Sequence, residues 1–483
     1  MVEDIAESCR RLEFVRSIEA SGSTIVANVQ SGEMEYLLEV DFKKPFPKVL
    51  PPIKLRSAAQ YGYLPHVCWE SLVCYNDGEG LSIDYSRPRD VAVHALKQAV
   101  GVLPTDSGFD LADFYNEYEG YWNQQEGIAS CQLFFEPGSD TREIRVIEDK
   151  KGKALSIISS HRDENLSSHY VYANRLNANK TELRGYYLPL DTCAEPPLPG
   201  EKLSIQFLDR VIASLSEENL RLWNEIVQGG DLPKRLTLLV SQPRPSGGRS
   251  FYGVTLPAPA VKAWLDNKVY DRHITPLGIR RHTKDFLIER GGLGSSSDAR
   301  NVAVVGCGAL GCRVAELCLM SGLTNMTLID GQSFSEENIF RHILDSCFIG
   351  VNKAKALQES FLARFPGVSV EAIPKQVQSI EGLFDNHDVV IVAIGNPTLE
   401  REFNLQHQDI SGDQKTTVIT TWLEAGGVGG HAVVANGQEN GCLHCLYHRD
   451  NSPTLSSITS LIEPGQIVTR NLTGCGGSFV PYG

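Results

Sequence analysis

Hydrophobic and polar positions form three different patterns along the chain. The first part begins with a short amphipathic helix, followed by strand-like runs at Thr24–Val29 and Tyr36–Phe42. The next stretch, KPFPKVLPPIKL, excludes a helix and permits only an edge strand or extended chain. A helix is predicted to begin at Pro88, since apolar residues then recur on one helical face: Ala92, Ala95, Leu96, Ala99, Val100 and Leu103. Residues 1–123 are therefore predicted to form a small α+β domain.

The middle part, residues 124–289, mixes both kinds of pattern. Strand-like runs lie at Gln132–Phe135, Ile144–Ile147 and Leu236–Val240, and a helical pattern lies near Ile212–Val227. Turn-rich segments, PPLPG and QPRPSGGRS, interrupt these runs. We expect a connecting domain of mixed structure.

Strands and helices alternate in the third part, residues 290–483. An apolar strand, Val302–Val305, is followed by a second strand that ends at Asp330 and by a third, DVVIVAIGN. This alternation predicts a parallel, doubly wound sheet of the Rossmann-like kind. The whole chain is thus predicted to be a multi-domain protein of α+β and α/β parts.

Composition narrows the class of protein. Among 483 residues, 59 are acidic and 45 basic, which gives a formal net charge of −14 and argues against nucleic-acid binding. Apolar runs such as Val389–Ile394 are too short to span a bilayer, so no membrane partner is expected. The charged N-terminus lacks the apolar region of a secretory signal, which predicts a cytoplasmic protein. Twelve cysteines are few for a disulfide scaffold of this length.

A glycine motif predicts a nucleotide site in the third part. Gly306, Gly308 and Gly311 form a G-x-G-x-x-G motif that follows an apolar strand and opens a helix. The glycines permit a tight turn, so that helix N-terminal amides can meet phosphate oxygens. Asp330, nineteen positions after Gly311, is placed to accept hydrogen bonds from ribose hydroxyls. A nicotinamide-binding module or a glycine turn without ligand also fits this pattern.

The residues after Asp330 resemble the activating enzymes of the ubiquitin and sulfur-carrier pathways. That family carries an Asn-x-x-Arg element and a Gly-x-x-Lys-Ala helix there, and the matching positions are Asn338, Arg341, Gly350 and Lys353. The resemblance covers about residues 299–483 and implies a site that binds ATP and adenylates a protein's C-terminal carboxylate. By this resemblance the nucleotide contacts are Gly306, Gly308, Gly311, Asp330, Asn338, Arg341, Lys353 and Asn396.

The implied chemistry needs positive charge beside the phosphates of ATP. In this chain, two Asp residues that many members of the family carry at the site are replaced by other residues. Arg341 and Lys353 would offset charge when a carboxylate attacks the α-phosphate, and Asn338 would orient the phosphates. Gln332 stands where many relatives have the second Asp of an Asp-x-Asp motif. Gly395 precedes Asn396, where relatives place an Asp that helps to hold Mg²⁺. A family-like Mg²⁺ site therefore requires Asp388 or another carboxylate.

Cysteines near the end of the chain suggest two roles. In the activating family, a pair placed like Cys442 and Cys445 is often half of a structural Zn²⁺ site; two buried thiols beside a turn are the alternative. Cys475 lies in a glycine-rich segment that predicts a mobile loop. The resemblance implies that it takes the acyl group as a thioester, against the alternative of a structural thiol. Since relatives continue beyond this loop, we expect the sequence to be truncated at its C-terminus.

The first part resembles ubiquitin-conjugating enzymes, particularly bacterial ones. The matching elements are Phe46-Pro47, Pro51-Pro52, His66, Leu72-Val73-Cys74 and the segment FYNEYEGYW. The resemblance implies that Cys74 is the nucleophile, with Cys68 as its competitor. His66 would orient the loop or assist proton transfer, unless its role is purely structural. The usual His-Pro-Asn is here Pro65-His66-Val67, so another donor must replace the Asn that stabilises the oxyanion.

The two resemblances together imply a fused activating and conjugating enzyme. It would adenylate the C-terminus of a partner protein, capture it on Cys475, pass it to Cys74 and ligate it to an amine, usually a lysine. Activating enzymes of this family generally dimerise, so a homodimer is expected. The domain order is similar to conjugation factors of anti-phage (CBASS) systems, which implies a cyclic-oligonucleotide synthase (CD-NTase) as partner.

Three alternatives stay open at this point. One is the ligase of a bacterial operon for a ubiquitin-like modifier, whose partner would be a ubiquitin-like protein. Another is a sulfur-carrier adenylyltransferase without conjugation, in which Cys74 would be dispensable. The third is a non-catalytic scaffold or nicotinamide-binding module.

Overall fold

The computed structural model divides into two compact units, which comprise residues 1–163 with 179–280, and residues 164–178 with 281–483. No helix among the described residues combines the length and apolar character needed to traverse a bilayer. The structure describes residues 1–68, 70–108, 110–149, 155–158, 180–197, 203–230, 232–270, 272, 274–293, 298–376, 382–409, 416–436, 441–449, 454–463, 465–472 and 478–481.

A four-stranded antiparallel meander forms the start of the first unit. Its strands are adjacent in chain order: β1 (Val15–Ser21), β2 (Thr24–Ser31), β3 (Met34–Asp41) and β4 (Ile53–Leu55). Alternate side chains of β2 are buried, as period-two patterning requires. The helices Val2–Arg10 and Pro88–Gly101 complete the core, and Pro88 occupies the first turn of its helix as predicted. The α+β prediction is confirmed, and the proline-rich stretch ends in the short edge strand β4.

Two short helices join this meander to the rest of the unit. They are Ala112–Asn116 and Tyr118–Trp122, and their aromatic side chains are buried except for that of Tyr115, which is half-buried. Trp122 donates its indole Nε1–H to the Leu277 carbonyl oxygen at 2.9 Å, and its ring lies 4.6 Å from that of Tyr252. This aromatic packing holds the two short helices against Leu277 and Tyr252.

The remainder of the first unit contains a closed seven-stranded barrel. Its neighbouring strands run in the order β10–β11–β5–β7–β6–β8–β9. The strands are β5 (Ala129–Leu133), β6 (Arg142–Asp149), β7 (Leu155–Ile158), β8 (Lys180–Pro189), β9 (Leu236–Pro243), β10 (Arg249–Leu256) and β11 (Thr275–Arg281). The helical pattern near Ile212–Val227 belongs to two helices, Ile205–Ala213 and Glu217–Gln228, because the Ser216 hydroxyl caps the second one at the Asn219 amide. Another helix spans Ala258–Leu265.

The second unit contains a six-stranded sheet in the order β14–β13–β12–β15–β16–β17. All neighbouring pairs are parallel except β16 with β17. These strands are β12 (Asp298–Val305), β13 (Leu323–Ile329), β14 (Ser369–Ile373), β15 (Val389–Val392), β16 (Thr417–Leu423) and β17 (Gly430–Ala435). The helices around it are Lys284–Ile288, Ala309–Met320, Lys353–Arg364 and Pro397–Asp409.

Strand order in this sheet reverses between β12 and β15, which is the switch point where ligands bind in doubly wound sheets. The predicted Rossmann-like sheet is confirmed. Two small hairpins follow it, formed by β18 (Tyr447–Arg449) with β19 (Leu455–Ser457), and by β20 (Arg470–Asn471) with β21 (Ser478–Phe479).

Candidate functional site

Cys74 lies at the end of a tight hairpin in the first unit. Val67 and Val73 pair across this hairpin, and both are buried. The Cys74 amide donates to the His66 carbonyl oxygen at 2.7 Å. Because side chains alternate between faces, Cys68 and Cys74 share the face turned away from the two valines. Cys74 is exposed and Cys68 is half-buried, so the structure presents the predicted nucleophile to solvent.

Two carboxylates from the region of the two short helices, residues 112–122, lie beside His66. Its Nδ1 lies 3.3 Å from Glu117 Oε1, and its Nε2 lies 3.9 Å from Asp113 Oδ2. The Tyr121 hydroxyl donates to the other Glu117 oxygen at 3.3 Å. Our sequence analysis missed Glu117, although it lies within the aromatic segment FYNEYEGYW that we singled out. Only the fold brings it to His66.

The Cys74 thiol holds its proton at neutral pH. Burial raises its pKa, and the neighbouring Cys68 and Glu117 raise it further. Since a thiolate is the attacking form, acyl transfer to Cys74 requires a base at the moment of attack. Glu117 acts on both His66 and Cys74, so the pair that it forms with His66 is placed to receive that proton.

In the second unit, two glycines of the motif are required by packing and one is open. A Cβ on Gly311 would lie 1.8 Å from the Gly306 carbonyl oxygen, and one on Gly306 would lie 2.5 Å from that of Ala393. Gly306 also has a positive φ of 90°. A Cβ on Gly308, the N-cap of the helix Ala309–Met320, would meet nothing within 4 Å. This open helix start is suited to phosphate oxygens.

Asp330 holds the glycine loop to the end of β13. One carboxylate oxygen accepts the Cys307 amide at 2.8 Å, and the other accepts the Gln332 amide at 2.7 Å. A carboxylate offers about four lone-pair sites, so ribose hydroxyls can still donate to it. The predicted ribose contact is thus compatible with this structural role.

The buried Lys353 and the exposed Gln332 form a pair beside this loop. Lys353 is 7% exposed and begins the helix Lys353–Arg364. Its Nζ donates to Gln332 Oε1 at 2.8 Å, so the residue that replaces the family's second Asp is the lysine's partner. A neutral amide does not cancel the ammonium charge, which can therefore act on an incoming anion.

Asn338 and Arg341 lie on the short helix Glu336–Arg341 and differ in exposure. The Asn338 side-chain oxygen accepts the Ser335 amide at 3.2 Å, which caps this helix, and Asn338 is buried. Arg341 is exposed. The structure therefore brings together the glycine loop, Asp330 and Lys353, and presents Arg341 at the surface.

Asn396 and Glu400 stabilise the start of the helix that follows β15. The Asn396 Oδ1 accepts the amides of Thr398 and Leu399, and Glu400 Oε1 accepts the Gly395 amide at 2.8 Å. Glu400 is buried, and this burial raises its pKa. Sequence analysis missed Glu400, which a helix-start pattern of Asn followed by Glu could have indicated.

The position of Asp388 excludes it as a substitute Mg²⁺ ligand, which corrects our expectation. Its carboxylate accepts the Asn301 amide at 2.7 Å, at the amino end of β12 and β15. The glycine loop follows the carboxyl end of β12, about 13 Å away at about 3.3 Å per strand residue. The Glu400 carboxylate is occupied by backbone amides, so among the described residues Asp330 is the carboxylate placed at the loop.

Cys442 and Cys445 lie together, with their sulfur atoms 3.8 Å apart. Burial opposes ionisation of Cys442, but hydrogen bonds from Asn404 and from Cys445 outweigh it and lower the pKa of Cys442. No group of three His, Cys, Asp or Glu side chains suited to a metal occurs in the part of the chain that the structure describes. Cys475 lies outside the described residues.

Two family models match the chain. Residues 2–130 match the prokaryotic E2 family B, and residues 287–468 match the ThiF family. The chain thus combines an E2-like domain with a ThiF adenylation domain, and it is an enzyme of the E1/E2-like ligase class. The resemblances found in the sequence are confirmed at this level.

Similar proteins include two called ATP-dependent ubiquitin transferase-like protein Cap2. The one from Pseudomonas aeruginosa is 23% identical over 87% of this chain and 76% of its own length. The one from Vibrio cholerae is 26% identical over 46% of this chain, which spans 38% of that protein. A crystal structure of Escherichia coli MccB with ATP is 20% identical over 33% of this chain and 46% of its own, with a TM-score of 0.28.

Proposed function

We propose that this chain uses ATP to activate the C-terminal carboxylate of a partner protein and ligates it to amines through cysteine thioesters. The observation that carries this proposal is the presence, in one chain, of an exposed Cys74 in the E2-like domain and a phosphate-suited glycine loop in the ThiF domain. Each domain would supply the group that its half of the proposed reaction needs.

The activation step would take place at the glycine loop. A partner carboxylate attacks the α-phosphate of ATP, the bond to the β-phosphate breaks, and pyrophosphate leaves. The Lys353 ammonium offsets the accumulating negative charge from its buried position, and Arg341 adds a fork for phosphate oxygens. Asp330 would accept hydrogen bonds from the ribose hydroxyls while it also accepts the Cys307 amide of the glycine loop.

The transfer steps would use two thiols. The Cys475 thiolate attacks the acyl adenylate and AMP leaves; Cys74 then attacks that thioester and releases the Cys475 thiol. An amine finally displaces Cys74 to form an amide, and its proton passes to a base such as the His66 and Glu117 pair. Fusion of both domains in one chain raises the effective concentration of the two thiols.

The steps above use only residues of the chain, and Mg²⁺ and Zn²⁺ would have supporting roles. Mg²⁺ would accompany ATP as a charge-neutralising ion, and Asp330 is the described carboxylate nearest the loop. Cys442 and Cys445 would supply two of the four ligands that a closed Zn²⁺ site needs.

The identity of the partner protein is a further part of the proposal. The domain order supports a cyclic-oligonucleotide synthase (CD-NTase) of a CBASS anti-phage system, and a ubiquitin-like protein is the alternative. We further propose a cytoplasmic homodimer and a division at residues 1–123, 124–289 and 290–483.

Pyrophosphate exchange tests the proposed function. Wild-type protein is incubated with ATP, labelled pyrophosphate and either a purified synthase or a ubiquitin-like protein. We expect exchange with the true partner, and its loss in Lys353→Met. Exchange with neither class of partner, or full exchange by Lys353→Met, contradicts the proposal.

A further inference from the structure

His342 is a buried imidazole at the nucleotide site to which the proposed mechanism gives no part. It follows Arg341, yet it is only 6% exposed, whereas Arg341 faces solvent. Its ring packs against that of Phe334, with the centroids 5.1 Å apart. Such a buried polar ring must find hydrogen-bond partners within the protein.

Both ring nitrogens of His342 bind backbone groups. The Leu344 amide donates to Nδ1 at 3.2 Å, so Nδ1 carries no proton. The proton is therefore on Nε2, which donates to the Cys307 carbonyl oxygen at 2.8 Å. A neutral imidazole thus connects the segment after Arg341 to the glycine loop.

Cys307 is held from both sides by this arrangement. Its amide donates to Asp330, and its carbonyl oxygen accepts from His342. Cys307 lies between Gly306 and Gly308, the residues that shape the phosphate-suited turn. The orientation of this turn therefore depends on two side chains, one charged and one neutral.

Burial and two nearby cations favour the neutral imidazole of His342. Burial lowers the pKa of His342, and Lys353 and Arg313 act in the same direction. Its bond to the Cys307 carbonyl and the charge of Asp330 oppose this shift without reversing it. Protonation of Nδ1 would turn an acceptor into a donor facing the Leu344 amide.

We propose that His342 is a positioning residue that holds the glycine loop against the segment carrying Arg341, so that ATP binds tightly only while the imidazole is neutral. This inference rests on the proposed function, since it concerns the same nucleotide. It adds a residue and an acid sensitivity that the adenylation chemistry alone does not require.

The test compares His342→Gln and His342→Ala with His387→Gln in the full-length chain. A glutamine amide can donate to the Cys307 carbonyl oxygen but has no proton to gain in this pH range. His387 is a matched control, because its ring bonds Leu383 and Thr327 and the residue precedes β15, at the end of that strand opposite to the glycine loop. ATP affinity is measured by calorimetry without partner, between about pH 5 and pH 8.

At about pH 8 we expect ATP affinity to fall roughly tenfold in His342→Ala and to change less than about threefold in His342→Gln and His387→Gln. Below the usual histidine range, wild type and His387→Gln should lose affinity as the imidazole gains a proton, whereas His342→Gln should lose less. Melting temperatures show whether each variant is folded.

Two outcomes would overturn the inference: a folded His342→Ala with wild-type affinity, or an acid loss in His342→Gln equal to that of wild type. The second comparison holds even if His342→Ala does not fold. Absence of ATP binding by wild type would instead contradict the proposed function, so the two failures are distinguishable.

Discussion

The amide of Cys74 donates a hydrogen bond to the carbonyl oxygen of His66 at 2.7 Å, which joins the two ends of the hairpin that carries the thiol. His66 adopts a positive φ of 60°, which is uncommon for a residue other than glycine. A short local pairing therefore carries both the nucleophile and a proton acceptor, and Glu117 acts on each of them. It does so with Pro65-His66-Val67 in place of the usual His-Pro-Asn.

Cys74→Ser should separate conjugation from activation. We expect loss of amide conjugates and accumulation of an oxyester on the introduced serine that thiols do not cleave, because a serine ester is less reactive than a thioester. Pyrophosphate exchange should stay within about twofold of wild type, since activation belongs to the other domain. Gel analysis with and without reducing agent provides the measurement.

Cys68→Ser is the matched control for this change, because Cys68 is half-buried on the same hairpin face. It should retain conjugates. Conjugation by Cys74→Ser at the wild-type rate would assign the nucleophile to another residue.

Glu117→Gln should make the Cys74 thiol more acidic. The carboxylate of Glu117 contributes to the raised pKa of Cys74, so its removal lowers that pKa and increases the thiolate fraction at neutral pH. Alkylation of Cys74 by iodoacetamide, followed by peptide mass spectrometry, should become roughly two- to fivefold faster at about pH 7.5.

The same substitution should slow ligation to lysine, because the proton acceptor beside His66 loses its charge. Asp113→Asn is the control, since Asp113 lies farther from His66, at 3.9 Å. Equal alkylation rates in wild type and Glu117→Gln would show that Glu117 does not influence the thiol.

The sequence was sufficient to predict the folds of the first and third parts of the chain, because the sequence patterns that indicate them are local. Period-two burial in β2 and the strand, glycine turn and helix around Gly306 are each contained within a few residues. The roles of Glu117 and His342 could not be predicted, because each acts on a residue more than thirty positions away in the chain. Asp388 was considered as a Mg²⁺ ligand although it is the first residue of the run DVVIVAIGN, so residue order alone already placed it at the amino end of that strand.

Two alanine substitutions in the glycine loop should have different effects on stability. Gly311→Ala places a Cβ at 1.8 Å from a carbonyl oxygen and should lower the free energy of unfolding by about 3 kcal/mol or more. Gly308→Ala meets no neighbour within 4 Å and should change it by less than about 1 kcal/mol.

ATP affinity then shows whether the open side of Gly308 faces phosphate. We expect Gly308→Ala to remain folded and to bind ATP at least about tenfold more weakly, because the added methyl group occupies the approach to the helix amides. Urea denaturation and calorimetry are the measurements. Unchanged ATP affinity in this variant would place the phosphates elsewhere.

Asp388→Asn should leave activation nearly intact. Its carboxylate lies at the amino end of the strands, so pyrophosphate exchange at saturating Mg²⁺ should change less than about twofold. Lys353→Met should reduce exchange by about a hundredfold or more, because a buried cation at the phosphates is lost. A large loss of exchange in a folded Asp388→Asn would restore Asp388 as a candidate Mg²⁺ ligand.

The central claim, that an acyl group activated by ATP passes through two thiols, is tested most directly by mass spectrometry of the adduct on Cys74. Protein, ATP and partner are mixed, quenched at low pH and digested, with Cys475→Ala treated in parallel. The account predicts a thiol-labile acyl adduct on Cys74 in wild type, and no such adduct in Cys475→Ala while pyrophosphate exchange continues. An adduct on Cys74 that forms equally well without Cys475, or wild-type conjugates that form with no thiol-labile adduct on Cys74, would contradict it.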